Sequence, residues 1–160
     1  MNIKITFAQI GIGYWGPNLL RNLMENKNCD VRTVVDLSNE RRHFVRDLYP
    51  SVKVSYRVED IVNDADIEAV VIATPVATHF DFAMQCLEAG KHVLVEKPLC
   101  LSLKQVKTLN KIAKRKKRMI FVDYPFLFSG SVNFIKKVIN KNRYGKILEI
   151  ESFREQAPVR

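Results

Sequence analysis

Gly11, Gly13 and Gly16 stand in a G-x-G-x-x-G spacing directly behind an apolar, β-rich run over residues 3–10. Pro17 follows, and Leu19, Leu20, Leu23 and Met24 then recur on one side of a helical pattern. Strand, glycine turn and helix therefore come in the order that a dinucleotide phosphate site needs. Gly11 allows a sharp turn, Gly13 lacks the Cβ that would hold a pyrophosphate off the backbone, and Gly16 lets the helix pack close to the strand. The helix N-terminus adds free N–H groups and the positive end of its dipole, and Pro17 suits its first turn. Glycines also mark ordinary strand-to-helix turns, so the spacing alone is weak. Residues 31–36 strengthen it: a short β-branched strand ends in Asp36, twenty residues after Gly16. A carboxylate there accepts both ribose hydroxyls of an adenosine.

Two further groups have the same placement. Ala73-Thr74-Pro75-Val76-Ala77-Thr78-His79 follows an apolar run over 67–73, and Glu96-Lys97-Pro98 follows another over 91–95. Both runs read as buried parallel strands. Short strands are also expected at 52–54 and 119–122. Between the strands lie helices. One is capped by Ser38, carries Phe44, Val45 and Leu48 on its apolar face and stops at Pro50. One or two turns follow over 58–63. The next is capped by Thr78, with Asp81 as a capping-box acid, Phe80, Ala83, Met84 and Leu87 inward, and Gly90 as its stop. Another begins at Ser102, with Leu103, Val106, Leu109, Ile112 and Ala113 inward. This alternation calls for an α/β fold: a doubly wound parallel (Rossmann) sheet with right-handed crossovers. In such sheets ligands bind at the carboxyl ends of the strands, where all three groups lie.

The series G-x-G-x-x-G, acid, T-P-x-x-x-H, E-K-P resembles the Gfo/Idh/MocA family of nicotinamide-dependent oxidoreductases, over essentially the whole chain. Residues 11–18 are most similar to members that oxidise nucleotide-linked sugars. The resemblance implies hydride transfer between a sugar or sugar-nucleotide carbinol and NAD, with Lys97 as the acid/base or polarising group. To act as a base, a lysine must lose its proton, which desolvation or nearby positive charge favours. The resemblance further implies a cis Lys97–Pro98 peptide bond and puts Thr74 and Pro75 along the cofactor's phosphate and ribose side. Glu96 is structural or cofactor-facing. His79 is a packing or hydrogen-bonding neighbour of the cofactor loop rather than a proton-transfer base. Tyr14 and Trp15 either shield the pyrophosphate or pack on the helix. Arg41 either stacks on adenine or meets a 2′-phosphate. Asp36 repels a 2′-phosphate, which favours NAD over NADP. Relatives often carry Asn where Val76 stands.

The composition sets limits. With 160 residues the chain suits one ordinary domain, and 47% apolar with 27% charged residues is globular usage. No run is long and apolar enough to span a membrane, and no leader precedes the first strand, so a cytoplasmic protein is expected. Cys29, Cys86 and Cys100 form no C-x-x-C pattern and are expected to be reduced thiols, with no metal site. The net charge is +9, with Lys104, Lys107, Lys111 and residues 114–118 crowding one segment. No aromatic residues interleave with that segment, so it reads as the solvated face and cationic end of a helix rather than a nucleic-acid site.

The last stretch differs. A helix is expected over 131–140, and 146–153 alternates as a half-exposed strand whose free edge invites a homo-oligomer. The domains expected are 1–123, binding dinucleotide, and 124–160, a crossover and the truncated start of a substrate and oligomerisation domain. Asp123 and Tyr124 stand where relatives carry glycine and histidine or asparagine. With most of a substrate domain lacking, a non-catalytic nucleotide-binding or regulatory module is the alternative.

Overall fold

Branched side chains divide the second strand between two layers, with a register shift against the first strand between Val31 and Thr33. In the computed structural model, which describes residues 4–141 and 144–153, Val31 and Val34 pack with Leu20 and Val45 on one face of a sheet. Val35 joins Ile10, Ile72 and Leu87 on the other. The sheet has six parallel strands: β1 (Ile5–Ile10), β2 (Cys29–Val35), β3 (Lys53–Ser55), β4 (Ala69–Ile72), β5 (His92–Glu96) and β6 (Ile120–Asp123). Their spatial order is β3-β2-β1-β4-β5-β6. Helices α1 (Gly16–Glu25) and α2 (Asn39–Leu48) serve the first face; α4 (Val76–Glu88) and α5 (Leu103–Lys116) serve the second, and α3 (Glu59–Val62) is a short turn before β4. This is the doubly wound α/β architecture that the alternation calls for. The order reverses between β1 and β4, so a crevice opens where their following loops part.

The chain divides into two compact units, Met1–Asp123 and Tyr124–Arg160. In the second, a 3-10 helix (Pro125–Phe128) precedes α6 (Gly130–Asn140), whose Phe134, Ile135 and Ile139 are exposed. The strand expected over 146–153 is not formed. A strand needs a neighbour to pair its backbone N–H and C=O groups, and the described residues offer none.

Several helix details differ from the sequence expectation. Helix α4 starts at Val76, with Pro75 at its N-cap, so Thr78 lies inside the first turn and is not the cap. Its buried face is His79, Ala83, Cys86 and Leu87, so Ala83 and Leu87 point inward as expected, while Phe80 and Met84 are only partly buried. On α2 only Val45 is buried, while Phe44 and Leu48 remain exposed. On α5 Leu103 is 77% exposed. It sits at the first position, where Ser102 caps the Gln105 N–H and the helix has not yet reached the sheet. Gly90 takes φ +77°, as a helix stop requires.

The basic segment forms the C-terminal end of α5. Arg115 and Lys116 pair with Glu88, and Arg118 donates to the Gly90 carbonyl. All three cysteines are free thiols, and burial pushes Cys86 up to about 12. Lys91 is buried, donating to the Asp64 and Ile67 carbonyls at 2.6 and 3.0 Å. Burial pulls its ammonium below the usual range, with Asp64 and Cys86 opposing. Among the described residues no helix is long and apolar enough to cross a membrane.

Leu109, fully buried on α5, and Leu103 give a direct check of the α5 packing face. Leu109→Ala is expected to cost about 2–5 kcal/mol in urea unfolding. Leu103→Ala should stay within roughly 0.5 kcal/mol. Equal losses would mean that the helix is rotated.

Candidate cofactor site

The glycine turn is built from backbone packed on backbone. Gly11 has φ +95°, and a Cβ there would lie 2.5 Å from the Ala73 carbonyl oxygen. At Gly16 a Cβ would lie 2.5 Å from the Gly11 carbonyl oxygen. At Gly13 nothing stands within 4 Å. Gly11 and Gly16 thus close the turn, while Gly13 faces open space in which a ligand can approach. The turn is held from inside by Gln9, whose Nε2 donates to the Gly11 and Gly16 carbonyls, both at 2.9 Å. Gln9 is fully buried at the end of β1. Sequence reasoning missed it, although a lone amide in an apolar strand directly before the glycines is a usable signal. No side chain caps α1; Pro17 has no N–H in its first turn, and the Asn18 N–H donates to the Trp15 carbonyl at 3.0 Å.

A cavity of about 310 Å³ opens against this turn, in the crevice between β1 and β4. Gly11, Gly13, Asp36, Thr74 and Pro75, all named from the sequence, line it. Leu37, Tyr56 and Phe82 also line it. The Asp36 carboxylate is already engaged. Oδ2 accepts the Ile12 N–H at 2.7 Å and Oδ1 the Ser38 N–H at 2.8 Å. A carboxylate has about four acceptor sites, so two remain for a ribose diol. The helix that follows is capped by Ser38, as expected, through the Arg41 N–H at 3.3 Å.

The arginine that shapes this corner is Arg42 rather than Arg41. Its Nη1 donates to the Asp36 and Leu37 carbonyls at 2.7 and 2.8 Å, and its guanidinium lies 5.8 Å from the centroid of the Tyr56 ring. Arg41 is exposed on α2 and does not line the cavity. Neither Tyr14 nor Trp15 lines it; Tyr14 is 95% exposed, while Trp15 occupies the N-cap position of α1.

His79 is 1% exposed, with both ring nitrogens on backbone carbonyls, so it does not face the cavity. Thr78 does: its hydroxyl donates to the Pro75 carbonyl at 2.8 Å and lies 2.7 Å from the Thr74 hydroxyl. Glu96 and Lys97 follow at the carboxyl end of β5, outside the cavity wall. The Lys97–Pro98 bond is cis, and the Lys97 side chain is exposed. Glu96 Oε2 accepts the Lys97 N–H at 3.2 Å, while Oε1 is shielded with no hydrogen-bond partner among the described residues. Glu96 is the register partner of Asp123 on β6. Burial first, and then the Asp123 charge, push the Glu96 carboxyl above its ordinary range, against the opposing effect of Lys97.

The fit to a dinucleotide rests on this open cradle at Gly13 and the carboxylate with free lone pairs. A family profile described as "Oxidoreductase family, NAD-binding Rossmann fold" matches residues 5–124. The chain belongs to the Gfo/Idh/MocA family. Among its Gfo/Idh/MocA relatives, scyllo-inositol 2-dehydrogenase (NADP(+)) of Bacillus subtilis is 28% identical over 91% of this chain. Inositol 2-dehydrogenase of Rhodococcus jostii is 31% identical over 90% of it. This chain spans 40% of the length of each. Biliverdin reductase of Synechocystis, solved with biliverdin and NADP+, is 25% identical and superposes with a TM-score of 0.78 over 86% of this chain and 43% of its own. Myo-inositol 2-dehydrogenase of Lactobacillus plantarum, at 21% identity, shares the fold with a TM-score of 0.82 over 90% of this chain and 43% of its own.

Two checks follow from the geometry. Gly11→Ala should destabilise by about 2 kcal/mol or more, since it combines a left-handed φ with a backbone clash. Gly13→Ala should shift Tm by less than about 2 °C, yet weaken nucleotide binding. The second check concerns pH. A Glu96 carboxyl raised above its ordinary 4.5 stabilises the fold fully below that pH, and this contribution is lost as pH rises through the raised value. Glu96→Gln should therefore raise Tm, relative to the parent, more at pH 8 than at pH 4. Equal shifts at both pH values would contradict the raised carboxyl.

Proposed function

We propose that this chain is the cofactor half of an NAD-dependent dehydrogenase acting on a secondary carbinol of a sugar, sugar nucleotide or related polyol. The observation that carries this reading is the cavity where Gly13, Asp36 and Thr74 meet. Its glycine turn suits a pyrophosphate, and its Asp36 and Tyr56 corner suits an adenosine. The inositol dehydrogenases among the relatives support a polyol-type carbinol. When bound, the nicotinamide supplies the hydride chemistry. The chain's own residues would orient it along 73–75 and keep Lys97 at the adjoining strand end. There Lys97 takes the hydroxyl proton or, as the ammonium, polarises the developing carbonyl oxygen. Residues 124–160 would begin the substrate domain.

Asp36 supports NAD over NADP, because its charge opposes a 2′-phosphate. Arg42 stands beside it, but its Nη1 is committed to the Asp36 and Leu37 carbonyls and its Nη2 to Asn39. Two relatives named with NADP support the opposite preference. The second functional reading is a nucleotide-binding or regulatory module without catalysis.

Calorimetry with NAD and NADP tests these readings on the parent, Asp36→Ala and Lys97→Ala. NAD should bind more tightly than NADP. Asp36→Ala should weaken NAD about tenfold, the size of one charged hydrogen-bond contact. Lys97→Ala should leave affinity within about threefold, since its role is in chemistry rather than uniform binding. Binding of neither nucleotide would overturn the cofactor assignment. NAD binding that Asp36→Ala weakens would support the cofactor assignment.

A further inference from the structure

The backbone ladder between β4 and β5 ends at the pair Ile72 and Val95. Beyond it the two strands give way to different parts of the site. Residues 73–75 line the cavity, whereas 96–98 carry Lys97. His79, in the first turns of α4, spans the gap. Its Nε2 lies 2.8 Å from the Thr74 carbonyl oxygen, and its Nδ1 lies 2.9 Å from the Pro98 carbonyl oxygen. The ring is 1% exposed, so water does not compete for either contact. Thr78, one residue earlier, ties α4 to the Thr74–Pro75 side only. His79 therefore makes the side-chain link that reaches both loops.

Carbonyl oxygens only accept hydrogen bonds. Which ring nitrogen donates depends on the tautomer. We infer that His79 is a positioning residue whose ring, set between the Thr74 and Pro98 carbonyls, locks the cofactor loop to the Lys97 turn. The inference rests on the proposed roles of those two loops. It assigns His79 no contact with cofactor or substrate. Its effect is to remove relative motion between two reactive halves, and small misplacements of such halves are costly.

Long-range proton–nitrogen NMR of the 160-residue chain reads the ring directly. A His79 ring N–H protected from exchange is expected; a ring whose N–H exchanges freely with solvent would overturn the inference. His79→Phe fills the ring volume without donors, and His79→Gln restores an N–H donor. At temperatures well below unfolding, His79→Phe should weaken NAD about fivefold and change the acylation rate of Lys97 by about threefold or more, with His79→Gln recovering part of both. A residue that only packs would lower Tm and leave both readouts within about twofold, which would also overturn the inference. If the parent binds no nicotinamide nucleotide, the cofactor reading fails. The ring spectrum and Lys97 reactivity then still decide whether the bridge exists.

Discussion

The whole site depends on one close approach. The turn after β1 and the loop after β4 meet at Gly11 and Ala73, backbone against backbone. A side chain at Gly11 would push the loops apart and widen the crevice at the point where the strand order reverses. Gly16 then seats α1 on the Gly11 carbonyl, and Gln9 fastens both from below. The open position at Gly13 has value only because its two neighbours are closed. Contact in one place and space in the next define a pocket that is shaped before any ligand arrives, which lowers the ordering cost of binding.

The sheet separates tasks along its upper edge. The β1, β2 and β4 ends carry the groups suited to a nucleotide, and the β5 and β6 ends carry Glu96, Lys97 and Asp123. Acidic groups dominate the second cluster, with one lysine among them. Burial and the neighbouring Asp123 oppose the charge on Glu96. A carboxyl that holds its proton longer leaves a less negative surrounding for whatever approaches Lys97. The electrostatic character of this edge therefore depends on a pair of residues joined by strand register, not by sequence proximity.

Much of the fold was legible because its signals are local. Strand hydrophobicity, glycine spacing, the Ser38 and Ser102 caps and the Gly90 stop each depend on a few neighbouring residues. Gly11, Gly13, Asp36, Thr74 and Pro75 were legible for the same reason. What stayed hidden depends on tertiary placement. Arg42, rather than Arg41, reaches the β2 loop because α2 turns that side inward. Tyr56 and Phe82 become cavity walls only once three strands are side by side. The Lys91 ammonium lies under two carbonyls from the turn before β4, a placement that only the folded chain creates. The Thr78 cap failed because Pro75 starts the helix earlier. The strand over 146–153 failed because alternation describes a face, and a face becomes a strand only beside a partner.

Asp36 bonds the Ile12 amide and the Ser38 amide with the same carboxylate that offers its free lone pairs to the cavity. It is a fastener for the glycine turn and a reader of the ligand at once. Ligand preference and loop rigidity are therefore inherited together at this position. A lineage or an engineer that exchanged Asp36 for a small neutral residue, to admit a phosphate, would also release the Ile12 amide. The new preference would need a second change nearby to hold the turn, so drift in ligand choice is expected to proceed by paired steps rather than single ones.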